Sequence, residues 1–195
     1  MDSNRQGERR KRRAPKPLSA ASLEELALSY VARFATTATK LERYLARKLR
    51  ERGWDDERDA DVPGLVQRFV DKGFVDDEVW ARARSSDLLR RGYGARRVNQ
   101  ALGQAGVGEE VRSQMQPGDA ARRQAAVRLA ERRRFGPFAV EAPDREKREK
   151  QIAAMLRAGH SFDHARAVLD APSEAAIQDW LSEAEDDDDD GDGFS

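Results

Sequence analysis

The sequence predicts an all-α fold, an elongated and curved array of tandem three-helix repeats flanked by disordered charged ends. Three observations predict it. A helix-closing pattern recurs five times, apolar residues fall at helical intervals between the closures, and three of the closing glycines are evenly spaced along the chain.

The closing pattern places an apolar residue four positions before a glycine and, in most cases, a bulky residue just after it. It appears at Leu49…Gly53-Trp54, Phe69…Gly73-Phe74, Leu88…Gly92-Tyr93, Leu102…Gly106-Val107 and Met155…Gly159-His160. In a Schellman helix end the glycine at C′ takes a left-handed conformation that costs other residues energy, and the next residue packs back onto C3. Five helix C-termini follow. Starts are marked by short polar residues that satisfy orphan amides and by acids that suit the helix dipole. Ser22-Leu23-Glu24-Glu25 has capping-box spacing, and Asp61, Asp76, Asp119, Ser161 and Ser173 are further candidates. Leu41, Tyr44, Leu45 and Leu49, then Leu65, Val66, Phe69 and Val70, recur at helical intervals, and no segment alternates like a strand. Gly53, Gly106 and Gly159 stand 53 residues apart, which predicts a repeat of about three short helices whose neighbours must stack to complete a core.

Charge is distributed unevenly behind a formal net charge of +0. The charged fraction of 37% exceeds the globular average of about a quarter, so the core is expected to be thin. Residues 1–18 hold seven basic side chains against two acids, and are read as a disordered basic arm. Residues 183–195 carry eight acids and no base, and are read as a disordered acidic tail, which leaves 19–182 as the repeat domain. There is no cysteine, hence no disulfide or thiolate metal site. No apolar run approaches the roughly 18 residues of a membrane span, and no apolar signal core follows the basic N-terminus, so a cytoplasmic protein is expected.

Two stretches resemble the RecX family: Ala27-Leu28-Ser29-Tyr30-Val31-Ala32-Arg33-Phe34 leading to Lys48-Leu49-Arg50-Glu51-Arg52-Gly53-Trp54, and Lys72-Gly73-Phe74-Val75-Asp76-Asp77-Glu78-Val79-Trp80-Ala81. Arg91-Gly92-Tyr93-Gly94, Ala101-Leu102…Gly106-Val107 and Arg157-Ala158-Gly159 continue the pattern in order, over roughly residues 22–171. The sequence departs from it at Thr36-Thr37-Ala38-Thr39, where many relatives are shorter and basic, and at His160, where an aromatic is usual. The resemblance implies three tandem three-helix repeats lying along the groove of a RecA filament on DNA, restraining strand exchange and ATP turnover without chemistry of their own. It implies no cofactor, and a monomer is expected.

Candidate sites divide by chemistry. Asp76 and Asp77 read as a helix start rather than as paired catalytic carboxylates, because no neighbour that would shift one pKa is visible. His160 and His164 are spaced i, i+4 but are too few for a metal site; His160 is expected at C″ and His164 on the surface. Trp54, Trp80 and Trp180 read as core. The arginine clusters are the candidates for partner contact, since the guanidinium fork pairs with carboxylates and phosphates. They are Arg90, Arg91, Arg96 and Arg97 around Gly92-Tyr93-Gly94, then Arg132, Arg133 and Arg134, then Lys147 and Arg148 with Lys150 nearby. A self-sufficient helical DNA-binding module is the alternative reading of the same clusters.

Overall fold

The computed structural model describes residues 16–190, with the backbone alone for 185–190. The described residues form ten α-helices and one 3₁₀ turn, arranged as three units. Unit 1 holds α1 (Ala20–Val31), α2 (Ala38–Arg52) and α3 (Val62–Asp71). Unit 2 holds α4 (Asp77–Arg90), α5 (Ala95–Gln104) and α6 (Glu109–Gln114). Unit 3 holds α7 (Asp119–Arg133), the 3₁₀ turn Gly136–Phe138, α8 (Arg145–Arg157) and α9 (Phe162–Asp170), and α10 (Glu174–Asp190) packs on α7.

Each unit has its own small core. Leu23, Leu41, Leu45, Leu65 and Phe69 fill the first, Ala81, Leu88, Val98 and Leu102 the second, and Leu129, Met155, Val168 and Ile177 the third. Fully burying one such large side chain contributes roughly 1.5–3 kcal/mol. So few per unit leave each dependent on its neighbours, as in repeat proteins generally. Trp54, Trp80 and Trp180 each pack half-buried at the edge of one core. Gly53, Gly106 and Gly159 all follow the second helix of a unit, so the 53-residue spacing is the spacing of the repeat.

All five predicted closures have glycine at positive φ. Four close as Schellman ends: the amides of Phe74, Tyr93, Val107 and His160 reach back to the carbonyls of Phe69, Leu88, Leu102 and Met155 at 2.9, 3.0, 3.1 and 3.2 Å. Gly53 departs from the expectation. Its N–H bonds Leu49 O at 2.8 Å, and its carbonyl accepts from Leu18 N at 2.9 Å in a parallel bridge that lays Leu18 against Trp54. A sixth closure lacks glycine altogether: Arg134 takes φ 54 at the end of α7, and Phe135 N bonds Ala130 O at 2.8 Å.

The starts at Asp61, Asp76, Ser161 and Ser173 hold, each side chain accepting an amide of the first turn. Two starts move. The first helix is capped by Ser19, with Ser22 as the reciprocal member of its box, because Ser22 Oγ accepts the Ser19 amide at 2.8 Å. Gly118 is the cap of α7, and Asp119 is its first residue, turned toward side chains described below. The expected ends also shift. Leu18 is fully buried and Lys16 O accepts from Arg52 Nε at 2.9 Å, so the last residues of the expected basic arm belong to unit 1. At the other end α10 continues through Asp190, and Ala184 is buried, since its helix docks on α7. Residues 1–15 and 191–195 of the two expected tails lie outside the described residues.

Candidate partner-binding face

The second helices of the three units meet end to end. A helix leaves its last carbonyls and first amides without internal partners, and here one helix supplies what the next lacks. At the joint of units 1 and 2, Thr37 caps α2 by accepting from Lys40 N, while its hydroxyl donates to Ala105 O at 2.6 Å. Thr39 Oγ1 donates to Gly106 O at 3.2 Å and Arg43 Nη1 to Gln104 O at 3.1 Å. Asp77 joins them by accepting from Ala38 N at 2.9 Å, so this acid ties two units together as well as opening α4. The four residues Thr36-Thr37-Ala38-Thr39, which set this sequence apart from its relatives' pattern, are thus the joint itself.

At the joint of units 2 and 3 the start of α5 sits on the end of α8. Gly94 N donates to Ala158 O at 2.9 Å, Arg96 N to Gly159 O at 3.2 Å, and Arg96 Nη2 to Leu156 O. The backbones approach so closely that a Cβ on Gly94 would lie 2.3 Å from Gly159 O, and one on Gly159 would lie 2.5 Å from Arg97 N. His160 occupies C″ as expected; it is buried, and its Nε2 donates to Gly92 O at 3.0 Å. Burial pushes this imidazole below its ordinary pKa, against the hydrogen bond to Gly92, which favours protonation, and with a smaller push from His164.

The structure divides the predicted arginines. Arg96 and Arg97 line a groove of about 510 Å³ together with Arg112 and Arg157, and none of its lining residues is a carboxylate. Arg112 Nη1 donates to Asn99 Oδ1 at 3.1 Å, but its buried Nε has no partner. Arg90 and Arg91 end α4 and do not line this groove, and Arg91 is held by Asp87 at 3.1 Å. Arg132, Arg133 and Arg134 are exposed at the end of α7 and unpaired among the described residues. Lys147 stands 3.8 Å from Asp144, Lys150 is 2.5 Å from Glu146, and Arg148 pairs with Asp170, so that cluster is largely neutralised by its own unit.

A second carboxylate-free groove, about 680 Å³, runs along α2 and is lined by Arg33, Lys40, Arg43 and Arg47 with Tyr30, Phe34 and Tyr44. Burial and the neighbouring Arg84 push the Lys40 ammonium below its ordinary pKa, and its Nζ lies 4.0 Å from the Trp80 ring. The two grooves adjoin across one bond, because Arg43 of the first donates to the carbonyl of Gln104, which lines the second. Arg33, Lys40, Arg43, Arg47, Arg112 and Arg157 are therefore site residues that cluster-hunting in the sequence misses, since they are scattered singly among acids. The 53-residue period carries a signal for one of them: Arg43 is the repeat equivalent of Arg96.

His164 is not the surface residue the sequence suggests. It packs edge-on to Trp180 with ring centroids 5.8 Å apart, and its Nε2 is 3.2 Å from Asp119 Oδ1. Burial lowers its pKa while Asp119 raises it, and the net direction is down. Asp119 also binds Arg123 at 2.6 Å; burial opposes its charge, yet the bond and proximity of Arg123, with His164 and Arg122, hold it below the usual carboxylate value. Arg123 completes the latch by donating to Trp180 O at 2.5 Å, which fastens α10 to α7. Among the described residues no group of three His, Asp or Glu is placed to hold a metal, and no helix is long and apolar enough to cross a membrane.

No protein-family model matches the chain. It is 34% identical over 187 residues to the regulatory protein RecX of Myxococcus xanthus (strain DK1622), covering 88% of this chain and 98% of that one. It is 36% identical over 163 residues to the RecX of Mycobacterium sp. (strain KMS), covering 80% and 86%. The crystal structure of RecX from Lactobacillus salivarius shares the fold with a TM-score of 0.60 at 18% identity, over 82% of this chain and 94% of that one. A second crystal structure of a regulatory protein RecX gives 0.59 at 20% identity, over 77% and 73%. With three helical repeats in place and relatives above 30% identity over nearly their whole lengths, the chain belongs to the RecX family of regulatory proteins.

Proposed function

We propose that this protein binds the RecA recombinase filament on DNA and restrains its recombinase and ATPase activities, acting as a cytoplasmic monomer with no catalysis of its own. The observation that carries the reading is the carboxylate-free groove of Arg96, Arg97, Arg112 and Arg157 at the joint of units 2 and 3, in a chain of this family. Four guanidinium groups with no acid among their neighbours are complementary to an acidic protein surface or to phosphates. Arg97 and Arg157 point the test, because both are exposed and neither bonds across the joint. Arg90, Arg91, Arg132, Arg133 and Arg134 are secondary contacts in this reading, and Lys147 and Arg148 contribute least because acids already hold them.

The experiment titrates wild type and the R97E/R157E variant into RecA on single-stranded DNA and follows ATP hydrolysis. Wild type lowers the rate; the variant, with unchanged helicity, requires at least about tenfold more protein for the same effect, as reversal of charges in a contact does. Equal inhibition by the variant would move the contact elsewhere. No inhibition by wild type would remove the reading.

A further inference from the structure

The groove of unit 1 combines two features that a filament-contact surface does not need together. One is a row of three rings. Phe34 and Tyr30 lie 5.3 Å apart, and Tyr30 stacks on Tyr44 at 4.2 Å with an interplanar angle of 20°. The row ends in the open, for Phe34 is 57% exposed at the end of α1, while most large apolar side chains of the unit are buried. The other feature is a line of cations. Lys40, Arg43 and Arg47 follow one another on α2 at intervals of three and four residues, about 4.5 and 6 Å along the axis. Arg33 adds a fourth charge next to Phe34, unpaired among the described residues. Arg47 reaches Glu51 only at 3.7 Å, and Arg43 spends one nitrogen on Gln104 O, so both forks keep donors for a ligand.

We propose that this groove binds single-stranded nucleic acid, with a base stacked on Phe34 at the open end of the ring row and the sugar–phosphate backbone running along Lys40, Arg43 and Arg47. Rings beside regularly spaced cations suit a ligand that alternates flat π faces with phosphates, because stacking accepts any base and the cations track the strand. A duplex hides its base faces, and an acidic peptide offers charge without a flat partner for the rings. The inference does not rest on the RecA reading, and it is tested without RecA.

The full-length protein is titrated against a fluorescently labelled oligo(dT), with anisotropy as the readout. Binding is expected to weaken with salt at a log–log slope of about −2 to −3, as three or four neutralised phosphates give on a single strand. Phe34→Ala is expected to weaken it by about tenfold, within the range that loss of one stacked base gives, while Phe34→Trp retains it. An abasic strand of equal length should bind wild type more weakly than oligo(dT), and to the same extent as it binds Phe34→Ala. Phe34 is exposed, and unchanged helicity of the variants confirms folding. Three results overturn the proposal: Phe34→Ala binding like wild type, a duplex binding as tightly as the single strand, or polyglutamate displacing the strand at equal charge concentration. An oligo(U) arm distinguishes RNA from DNA as the source of the strand, and failure of both strands to bind also overturns it.

Discussion

Arg43 and Arg96, 53 residues apart, make the same bond. Each guanidinium crosses a joint to a carbonyl in the last turn of the next unit's second helix, Arg43 to Gln104 O at 3.1 Å and Arg96 to Leu156 O. The two joints are therefore built on one repeated residue. Replacing either arginine by alanine is expected to cost about 1 kcal/mol, the net value of a charge-assisted hydrogen bond discounted for solvent exposure. Urea unfolding measures it, and unchanged midpoints for both variants would show that the backbone contacts carry the joints alone.

Gly94 is expected to be far less tolerant than Gly108. A methyl on Gly94 collides with the Gly159 peptide, so Gly94→Ala must open the joint of units 2 and 3, whereas a methyl on Gly108 meets nothing within 4 Å. The first substitution should destabilise by about 2 kcal/mol or more, as overpacking against rigid backbone does, and the second should be near neutral. Thermal melts of the two variants side by side make the comparison.

Arg134 and Gly73 give opposite expectations from the same conformation. Arg134 sits at φ 54, where a side chain is penalised, so Arg134→Gly should stabilise by about 0.5–1 kcal/mol. Gly73 sits at φ 72 with open space around it, so Gly73→Val should cost about 1 kcal/mol or more through backbone conformation alone. Denaturant midpoints moving the same way in both variants would refute the assignment.

Stability should fall as pH drops below about 6.5, the ordinary value of an unfolded histidine. His160 and His164 both have folded pKa values below that, so the unfolded chain binds the proton first and acid favours unfolding. Their contribution is complete above the unfolded value and is lost as pH falls through the folded values. His160→Phe keeps an aromatic at C″ and should reduce the slope of stability against pH without abolishing it, because His164 remains. Chemical unfolding between pH 5 and pH 8 reads the slope, and NMR titration of the two rings reads the pKa directions.

Most of the fold is legible in the sequence because its punctuation is local. A glycine at C′ with apolar partners five residues apart needs nothing from the rest of the chain, and all five such glycines take positive φ. Gly53 fails as a Schellman end for a non-local reason, since Leu18 arrives from outside the motif to take its carbonyl. Arg134 is invisible to a rule that looks for glycine. The contact face was less legible. Sequence clusters pointed to Arg96 and Arg97, but Arg112 and Arg157 reach the same groove from α6 and α8, and Arg148 is cancelled by Asp170 from the facing helix. Proximity between helices decides which charges remain free, and sequence spacing does not record it.

The two joints share their arginine and differ in almost everything else, which makes them keyed. One mates threonine hydroxyls with Gly106; the other mates bare backbone at Gly94 with Gly159 and inserts His160 under Gly92. Were α2 to settle on the end of α8 instead, His160 would lose the Gly92 carbonyl and stay buried with a polar edge unsatisfied. The order of the units is thus written into their ends, and a chain of near-identical parts is kept from trading pieces with its neighbours.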